Sequence, residues 1–237
     1  MMPPEPASSL AIVMPVLNEA AGIEAALRAL APLRARGARV VVADGGSTDD
    51  TPARARRVEG TQVIQAQRGR AAQMNAGAQA ATGDGVLLFL HADTALPPDA
   101  DRLIAQALAD GRHVWGRFDV RIAGRPRMLR VVATFMNARS RWSGIATGDQ
   151  AMFMTRAAFD AVGGFPDQPL MEDIEMSKRL RTLSRPACLR ERVITSGRRW
   201  EARGVWPTIV LMWRLRAAYF FGADPRELAI RYGYRPR

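Results

Sequence analysis

The 237-residue chain has one cysteine, Cys188, and one lysine, Lys178. A single thiol excludes a disulfide within the chain and fits a reducing compartment. No segment offers about eighteen uncharged apolar residues in a row, so no transmembrane helix is expected. The start, MMPPEPASSLAIVMP, has neither a basic opening nor a long apolar stretch, so no signal peptide is expected. There is no internal repeat, linker or low-complexity tract. One α/β domain with a C-terminal extension is the economical reading.

What the chain has is arginine. The net charge is +11, and nearly every basic residue is Arg. A GC-rich genome accounts for the preference of Arg over Lys; the placement says more. From Arg185 to Arg237 there are 12 arginines against 4 acids. So basic a C-terminal fifth suggests an anionic partner: nucleic acid, phosphate or a membrane surface.

Apolar runs alternate with helical patterns. LAIVMPV (10–16), RVVVAD (39–44), TQVIQA (61–66) and VLLFL (86–90) read as strands. A helix is predicted from about Glu19 to Arg36, with Ile23, Leu27 and Leu30 on one face and Gly37 as its stop. A short helix after Asp50 has Pro52 in its first turn. Another runs from Arg70 to Ala81 and stops at TGDG, and a further one follows Pro97 and Pro98. This β-α-β order predicts a parallel sheet covered by helices, with ligands beyond the carboxyl ends of the strands. That rule gathers Pro15 to Glu19, Asp44 to Asp49 and His91 to Asp93 on one rim. The second half is less regular: strands near 113–122 and 187–195, helices near 127–142 and 170–180, and GDQAMFMT (148–155) leading into a strand.

Six stretches carry a resemblance: MPVLNE (14–19), VADGGSTDDT (42–51), RGRAAQMNAGAQAATGD (68–84), LLFLHADT (87–94), GDQAMF (148–153) and MEDIEMSKRL (171–180). In this order they resemble family 2 glycosyltransferases, over roughly residues 10 to 195. In detail the chain looks most like a small stand-alone subgroup associated with radical-SAM proteins. The resemblance implies the GT-A fold, a nucleotide-binding α/β half joined to an acceptor-binding half. Residues 8–195 would form this domain and 196–237 a basic, aromatic helical extension.

The resemblance also implies roles. Pro15, Val16, Asn18 and Glu19 would frame the base and ribose of a nucleotide-diphosphate sugar, and Asp44 would bond the base. Glu19 equally suits a helix's first turn, and Asp44 an Asx-turn opening GGST. Asp49 reads as a helix cap. Arg70 would meet base or phosphate, or be a solvated surface arginine. Asn75 and Gly77 fit packing of their helix against the nucleotide loop. Asp93 would hold a divalent metal, Mg²⁺ or Mn²⁺, because a departing diphosphate needs its charge met. The family's D-x-D stands here as His91-Ala92-Asp93, with His91 read as a nucleotide contact. Asp173 would be the base and Glu172 its support; a charged first helical turn explains the same acids. Asp149 and Gln150 would lie on the acceptor side.

In SGRRW (196–200), Ser196 replaces the glutamine of the processive enzymes' Q-x-x-R-W, which argues for non-processive transfer. Arg198 and Arg199 would bind diphosphate, and Trp200 would stack on a sugar or pack in the core. The aromatic stretch 205–222, interrupted by Arg214 and Arg216, is expected to pack on the core, form a homodimer or lie on a membrane. Asp224, Pro225 and Glu227 read as the cap and first turn of a last helix. The expectation is therefore an inverting sugar transferase. It would be cytoplasmic or peripheral on the inner membrane face, with a lipid-linked acceptor among the options and no nucleic acid, since the rim is acidic. A non-catalytic nucleotide-sugar or membrane-surface scaffold is the rival. Nucleotidyl transfer ranks lower, because no Gly-rich basic loop follows the first strand.

Overall fold

A computed structural model describes residues 9–83 and 85–234. Residues 1–8, where the predicted domain begins, Asp84 of the TGDG stop, and the last three residues of the basic tail lie outside the described residues.

The first half runs β1 (Leu10–Val16), α1 (Ile23–Ala29), α2 (Ala31–Ala35), β2 (Arg39–Asp44), α3 (Thr51–Arg56), β3 (Thr61–Gln65), α4 (Arg70–Ala80) and β4 (Val86–Phe89). The second half follows with β5 (Thr94–Ala95), α5 (Ala100–Leu108), β6 (Trp115–Ala123), α6 (Met128–Ser143), β7 (Phe153–Thr155), α7 (Arg156–Ala161), α8 (Glu172–Leu180) and β8 (Ala187–Ser196). Three helices end the described chain: α9 (Arg198–Arg203), α10 (Val205–Phe220) and α11 (Pro225–Tyr232).

The eight strands of the described residues form one sheet in the order β3-β2-β1-β4-β7-β6-β8-β5. β3, β2, β1 and β4 are parallel, as the alternating pattern predicted. β7 pairs antiparallel with both β4 and β6, which turns the sheet into a mixed one. Apolar residues alternate between the two faces. Ile12 and Met14 of β1, Val40 and Val42 of β2 and Leu88 of β4 enter one core, whereas Val13, Val41, Leu87 and Phe89 enter the other. Burial on both faces is why these strands read as unbroken apolar runs.

The single helix predicted over 19–36 is instead two, α1 and α2, meeting at Leu30. Pro32 sits in the first turn of α2. It has no N–H for a bond to the preceding turn and crowds that turn's carbonyl, which interrupts the helix here. The helix also starts later, at Ile23, because Glu19 O first closes a turn with the Gly22 and Ile23 N–H groups. Gly37 ends α2 with φ 95°, the left-handed conformation expected of a stop. The last helix begins as predicted: the Asp224 carboxylate accepts the Arg226 N–H at 2.8 Å, and Pro225 follows it.

α10 and α11 have their own core. Leu215, Leu228 and Ala229 close on Leu170 and Met171, the residues that lead into α8. The C-terminal helices thus sit against the loop that positions the acids of α8.

Candidate active site

The loops after β1 and β2 are zipped together at the carboxyl edge of the sheet. Asn18 takes φ 56°, tolerated because its short side chain bonds locally. Its Oδ1 accepts the Thr48 N–H at 2.9 Å, and its own N–H donates to Ser47 Oγ at 2.9 Å. Asp49 accepts the Thr51 N–H at 3.0 Å and the Ala20 N–H at 3.1 Å. The bond from the Thr51 hydroxyl holds the Asp49 carboxyl below its usual range. Asp44, 5% exposed, accepts the Gly46 and Ser47 N–H groups at 3.1 and 3.0 Å, the Asx-turn geometry. Beneath both loops, the buried Gln73 amide donates to Val16 O at 2.7 Å and Ala43 O at 2.9 Å.

Three charged clusters face a cleft of about 1150 Å³. In the first, Arg70 opens α4. Its Nε lies 3.2 Å from Glu172 Oε1, and its Nη2 donates to Tyr234 Oη at 2.6 Å. The charge of Glu172 raises the Arg70 guanidinium above its normal value. Glu172 is 1% exposed; burial raises its carboxyl, against the pull of Arg70. In the second, Asp173 stands beside Glu172 in the first turn of α8. Its Oδ2 accepts the Gly148 N–H at 2.9 Å and its Oδ1 its neighbour Ile174's N–H at 2.8 Å. In the third, His91 Nδ1 lies 3.4 Å from Asp149 Oδ1. Burial alone would raise the Asp149 carboxyl, but the His91 ring, with Arg70 and Arg199, holds it below the usual range. Gly148 lets this happen: a Cβ there would stand 2.7 Å from both Cε1 and Nε2 of His91.

Asp93 also faces the cleft. Its Oδ2 is 3.8 Å from Arg198 Nη2, which also meets Glu19 Oε2 at 3.4 Å. Among the described residues no three His, Cys, Asp or Glu side chains gather as a metal cluster. A lone carboxylate still fits Mg²⁺ or Mn²⁺, which commonly take one or two protein carboxylates and complete their shell with substrate phosphates.

A sequence profile described as Glycosyl transferase family 2 matches residues 11–163, more than half of the chain. The chain belongs to this family. Succinoglycan biosynthesis protein ExoA of Rhizobium meliloti (strain 1021) is 42% identical over 112 residues, 44% of this chain. The match spans 34% of ExoA, about a third of that relative's length. Among solved structures, mannosyltransferase PcManGT from Pyrobaculum calidifontis, in complex with GDP-Man and Mn²⁺, superposes with a TM-score of 0.63 at 24% identity. That alignment covers 99% of this chain and 68% of PcManGT. Glucosyl-3-phosphoglycerate synthase from Mycobacterium tuberculosis, in complex with Mn²⁺ and UDP-glucose, gives 0.59 at 21% identity, covering 79% of this chain and 70% of its own. At such identities the likeness is one of fold, the GT-A arrangement expected from the motifs.

Most of the site residues read from the family 2 motifs line the one cleft: Pro15, Val16, Glu19, Arg70, His91, Ala92, Asp93, Asp149, Glu172, Asp173, Arg199 and Trp200. Asn18, Asp44, Gln150 and Arg198 do not. Gln150 is fully buried, and its Oε1 accepts the Thr147 N–H at 3.2 Å, closing the turn that presents Gly148 and Asp149. Arg70 is no solvated surface arginine; Glu172 and Tyr234 hold it. Gly77 packs on β1, where its absent side chain leaves room for Val13. Asn75 departs from its predicted role: its amide clasps both backbone groups of Phe165, at 2.8 and 2.9 Å, and so fixes the loop before α8 rather than the nucleotide loop.

Sequence reasoning overlooked Gln73, Tyr234 and Arg139, and noted Arg216 only as an interruption of the aromatic stretch, not as a residue of the cleft. Gln73 lay inside a motif already quoted. Arg139 and Arg216 each follow an apolar row on a cleft-lining helix: Met128, Val132, Phe135 and Met136 on α6, and Ile209, Met212 and Trp213 on α10. An arginine on the apolar side of a helix was the available signal.

Proposed function

We propose that the protein transfers one sugar, with inversion at the anomeric carbon, from a nucleoside-diphosphate sugar to a hydroxyl of an acceptor. The observation that carries this is Asp173, fixed by two backbone N–H groups in the wall of a cleft that His91 and Asp93 also line. A cleft larger than the usual ligand pocket of about 300–1,000 Å³ has room for donor and acceptor together. The bound GDP-Man and UDP-glucose of the two structural relatives support a nucleotide-sugar donor.

In this reading the backbone at Pro15 and Val16 and the acid Glu19 border the nucleotide, with Asn18 and Asp44 shaping those loops from behind. Asp173 takes the proton of the acceptor hydroxyl as its oxygen bonds to the anomeric carbon. The bond from that carbon to the diphosphate oxygen breaks on the opposite side, and the nucleoside diphosphate leaves. Asp93 would hold a divalent cation, which supplies positive charge to the leaving diphosphate. Arg198, Arg199 and His91 add fixed positive or donor groups near the same place. Buried Glu172 orients Arg70, and Asp149 orients His91. Ser196, in the position of the processive enzymes' glutamine, supports release after one transfer.

The proposed division at residue 195 separates elements, not tasks, since Arg199, Trp200 and Tyr232 of the extension line the same cleft. No helix among the described residues is long and apolar enough to cross a membrane. The single cysteine suits work in the cytoplasm.

The test is a donor panel with Mg²⁺ or Mn²⁺. Bound donor should raise the melting temperature by mass action, and transfer should follow. Asp173→Asn should keep donor binding and lose transfer by about 10²–10⁴-fold. Full transfer by that variant would remove Asp173 as the base, and a retained anomeric configuration in the product would remove inversion.

A further inference from the structure

Two arginines facing the cleft carry buried guanidinium nitrogens with no hydrogen-bond or ion-pair partner among the described residues. Nε and Nη2 of Arg139, and Nε of Arg216, are buried without a hydrogen bond, and neither side chain forms an ion pair. Burial lowers the Arg139 guanidinium from its usual value; the carboxylate of Asp173 opposes that, and Arg117 behind it adds to it. Arg117, fully buried, has its own counter-charge in Asp119, so no neighbour neutralises Arg139 in the same way. Native proteins satisfy buried guanidinium nitrogens, and ones left open toward a cavity mark a place for an anion.

The surroundings of these cations are apolar. Each terminates a row of apolar side chains in the same cleft, on α6 and on α10. The apolar lining is also open to solvent. Phe135, Trp206 and Trp213 of the cleft are 71%, 66% and 72% exposed, and on α10 the exposed Val210 and Phe220, the latter at 80%, lie beyond the cleft lining. Scattered apolar residues on a surface need no explanation; exposed aromatics lining a basic pocket do. An aromatic and basic helix face is the composition that lies at a lipid headgroup layer.

An occupant must satisfy both features: an anion for the guanidinium forks and an apolar chain for the rows leading out. The fork matches phosphate oxygens in two-point fashion. We propose that the acceptor is a lipid carrying a phosphate next to a hydroxylated head group. Arg139 and Arg216 grip the phosphate, the hydroxyl reaches Asp173, and the chain leaves between α6 and α10 into a membrane surface. The fate of the hydroxyl rests on the transferase reading; the lipid-phosphate site itself does not.

The test is co-sedimentation of the full chain with vesicles of phosphatidylcholine alone and of phosphatidylcholine doped with phosphatidylglycerol, whose head carries both hydroxyls and a phosphate. Free glycerol phosphate serves as the head without the chain. Wild type should bind the doped vesicles at least about tenfold more tightly than the neutral ones, and free glycerol phosphate should compete poorly. Arg139→Gln and Arg216→Gln should each remove about tenfold of that affinity, the worth of a charge-assisted pair. Arg139→Lys, which keeps the charge and loses the fork, should fall between. Trp213→Ser should weaken binding to both vesicle types. Arg190→Gln, on the exposed surface of β8 outside the cleft, controls for general attraction of a basic protein. The proposal is overturned if Arg190→Gln costs as much as the cleft variants, if glycerol phosphate competes as well as vesicles, or if wild type binds phosphatidylglycerol vesicles no better than phosphatidylcholine ones. Nucleotide-induced stabilisation of wild type, measured alongside, separates the two readings. If it persists while lipid binding fails, only the acceptor inference falls. If no nucleotide sugar stabilises the protein, the transferase reading falls and the vesicle data still decide the lipid site.

Discussion

At the carboxyl ends of β1 and β2, Asp44 bonds within its own turn, Asn18 and Asp49 bond to the backbone of the facing loop, and Gln73 bonds to both strand ends. On α6 and α10, Arg139 and Arg216 leave buried nitrogens unbonded. The first wall of the cleft is complete without a ligand, so its shape is set before a donor arrives, and binding there orders little. The second wall carries desolvated charge and exposed aromatic surface that only a partner can satisfy. Stability and function coincide on one side of the cleft and oppose each other on the other. Substitutions on the two walls should therefore change stability in opposite directions.

The largest effect is expected on the first wall, at Gly77. Its α-carbon faces Val13 of β1 so closely that any side chain must push α4 off the sheet. Gly77→Leu should lower stability by about 3 kcal/mol through overpacking, a fall of roughly 9 °C in melting temperature for a chain of this size. Thermal unfolding by circular dichroism measures it. An unchanged midpoint would mean that α4 is not wedged against β1.

Next is Gln73. It bridges the carboxyl ends of two strands with two buried bonds. Gln73→Leu should cost about 2 kcal/mol, because the amide's bonds are lost and buried carbonyls lose a donor. It should also weaken donor binding, since the strand ends beneath the loops after β1 and β2 lose their bridge. Urea unfolding and nucleotide-induced stabilisation read the two effects separately.

The legibility of the two walls differs for the same reason. The first is local. LAIVMPV, RVVVAD and VLLFL are apolar throughout because parallel strands here are buried on both faces, and the acids that end them fall on one rim by the rule for such sheets. Even the error at 19–36 was written locally, in Pro32. The second wall is made by distance. Tyr234 meets Arg70 across 164 residues of sequence, and no periodicity reports such a contact. An apolar row ending in arginine reads the same whether it faces a core, a dimer or an open cleft. Only the fold shows that the rows of α6 and α10 face one space, and that Gln150 turns inward while Asp149 beside it turns out.

A smaller effect, of opposite sign, is expected at Arg139. Arg139→Leu removes a desolvated cation and keeps the aliphatic packing of its stem. Stability should rise by up to about 1 kcal/mol, as when other buried charges give way to apolar groups. A fall of similar size would show that Arg139 is already satisfied in the folded protein, and would erase the contrast between the walls.

The smallest effect tests the seam where the walls meet, His91 with Asp149. Burial favours the neutral Asp149 carboxyl, and the hydrogen bond from His91 together with the charges of Arg70 and Arg199 favours the charged one more. The net result is a folded-state value below the unfolded one. The stabilisation that goes with it is therefore fully present above the ordinary carboxylate range, and it is lost as the pH falls through the folded value. The pair is half open to water on the Asp149 side, so at most about 1 kcal/mol is at stake. Asp149→Asn should be slightly less stable than wild type at neutral pH, with the difference closing in acid. Thermal melts of both proteins from neutral pH down through the carboxylate range would show it. A difference that stays constant into acid would mean that Asp149 acts through shape alone. A difference that grows in acid would reverse the sign, and would make burial rather than the facing cations the stronger influence on this carboxyl.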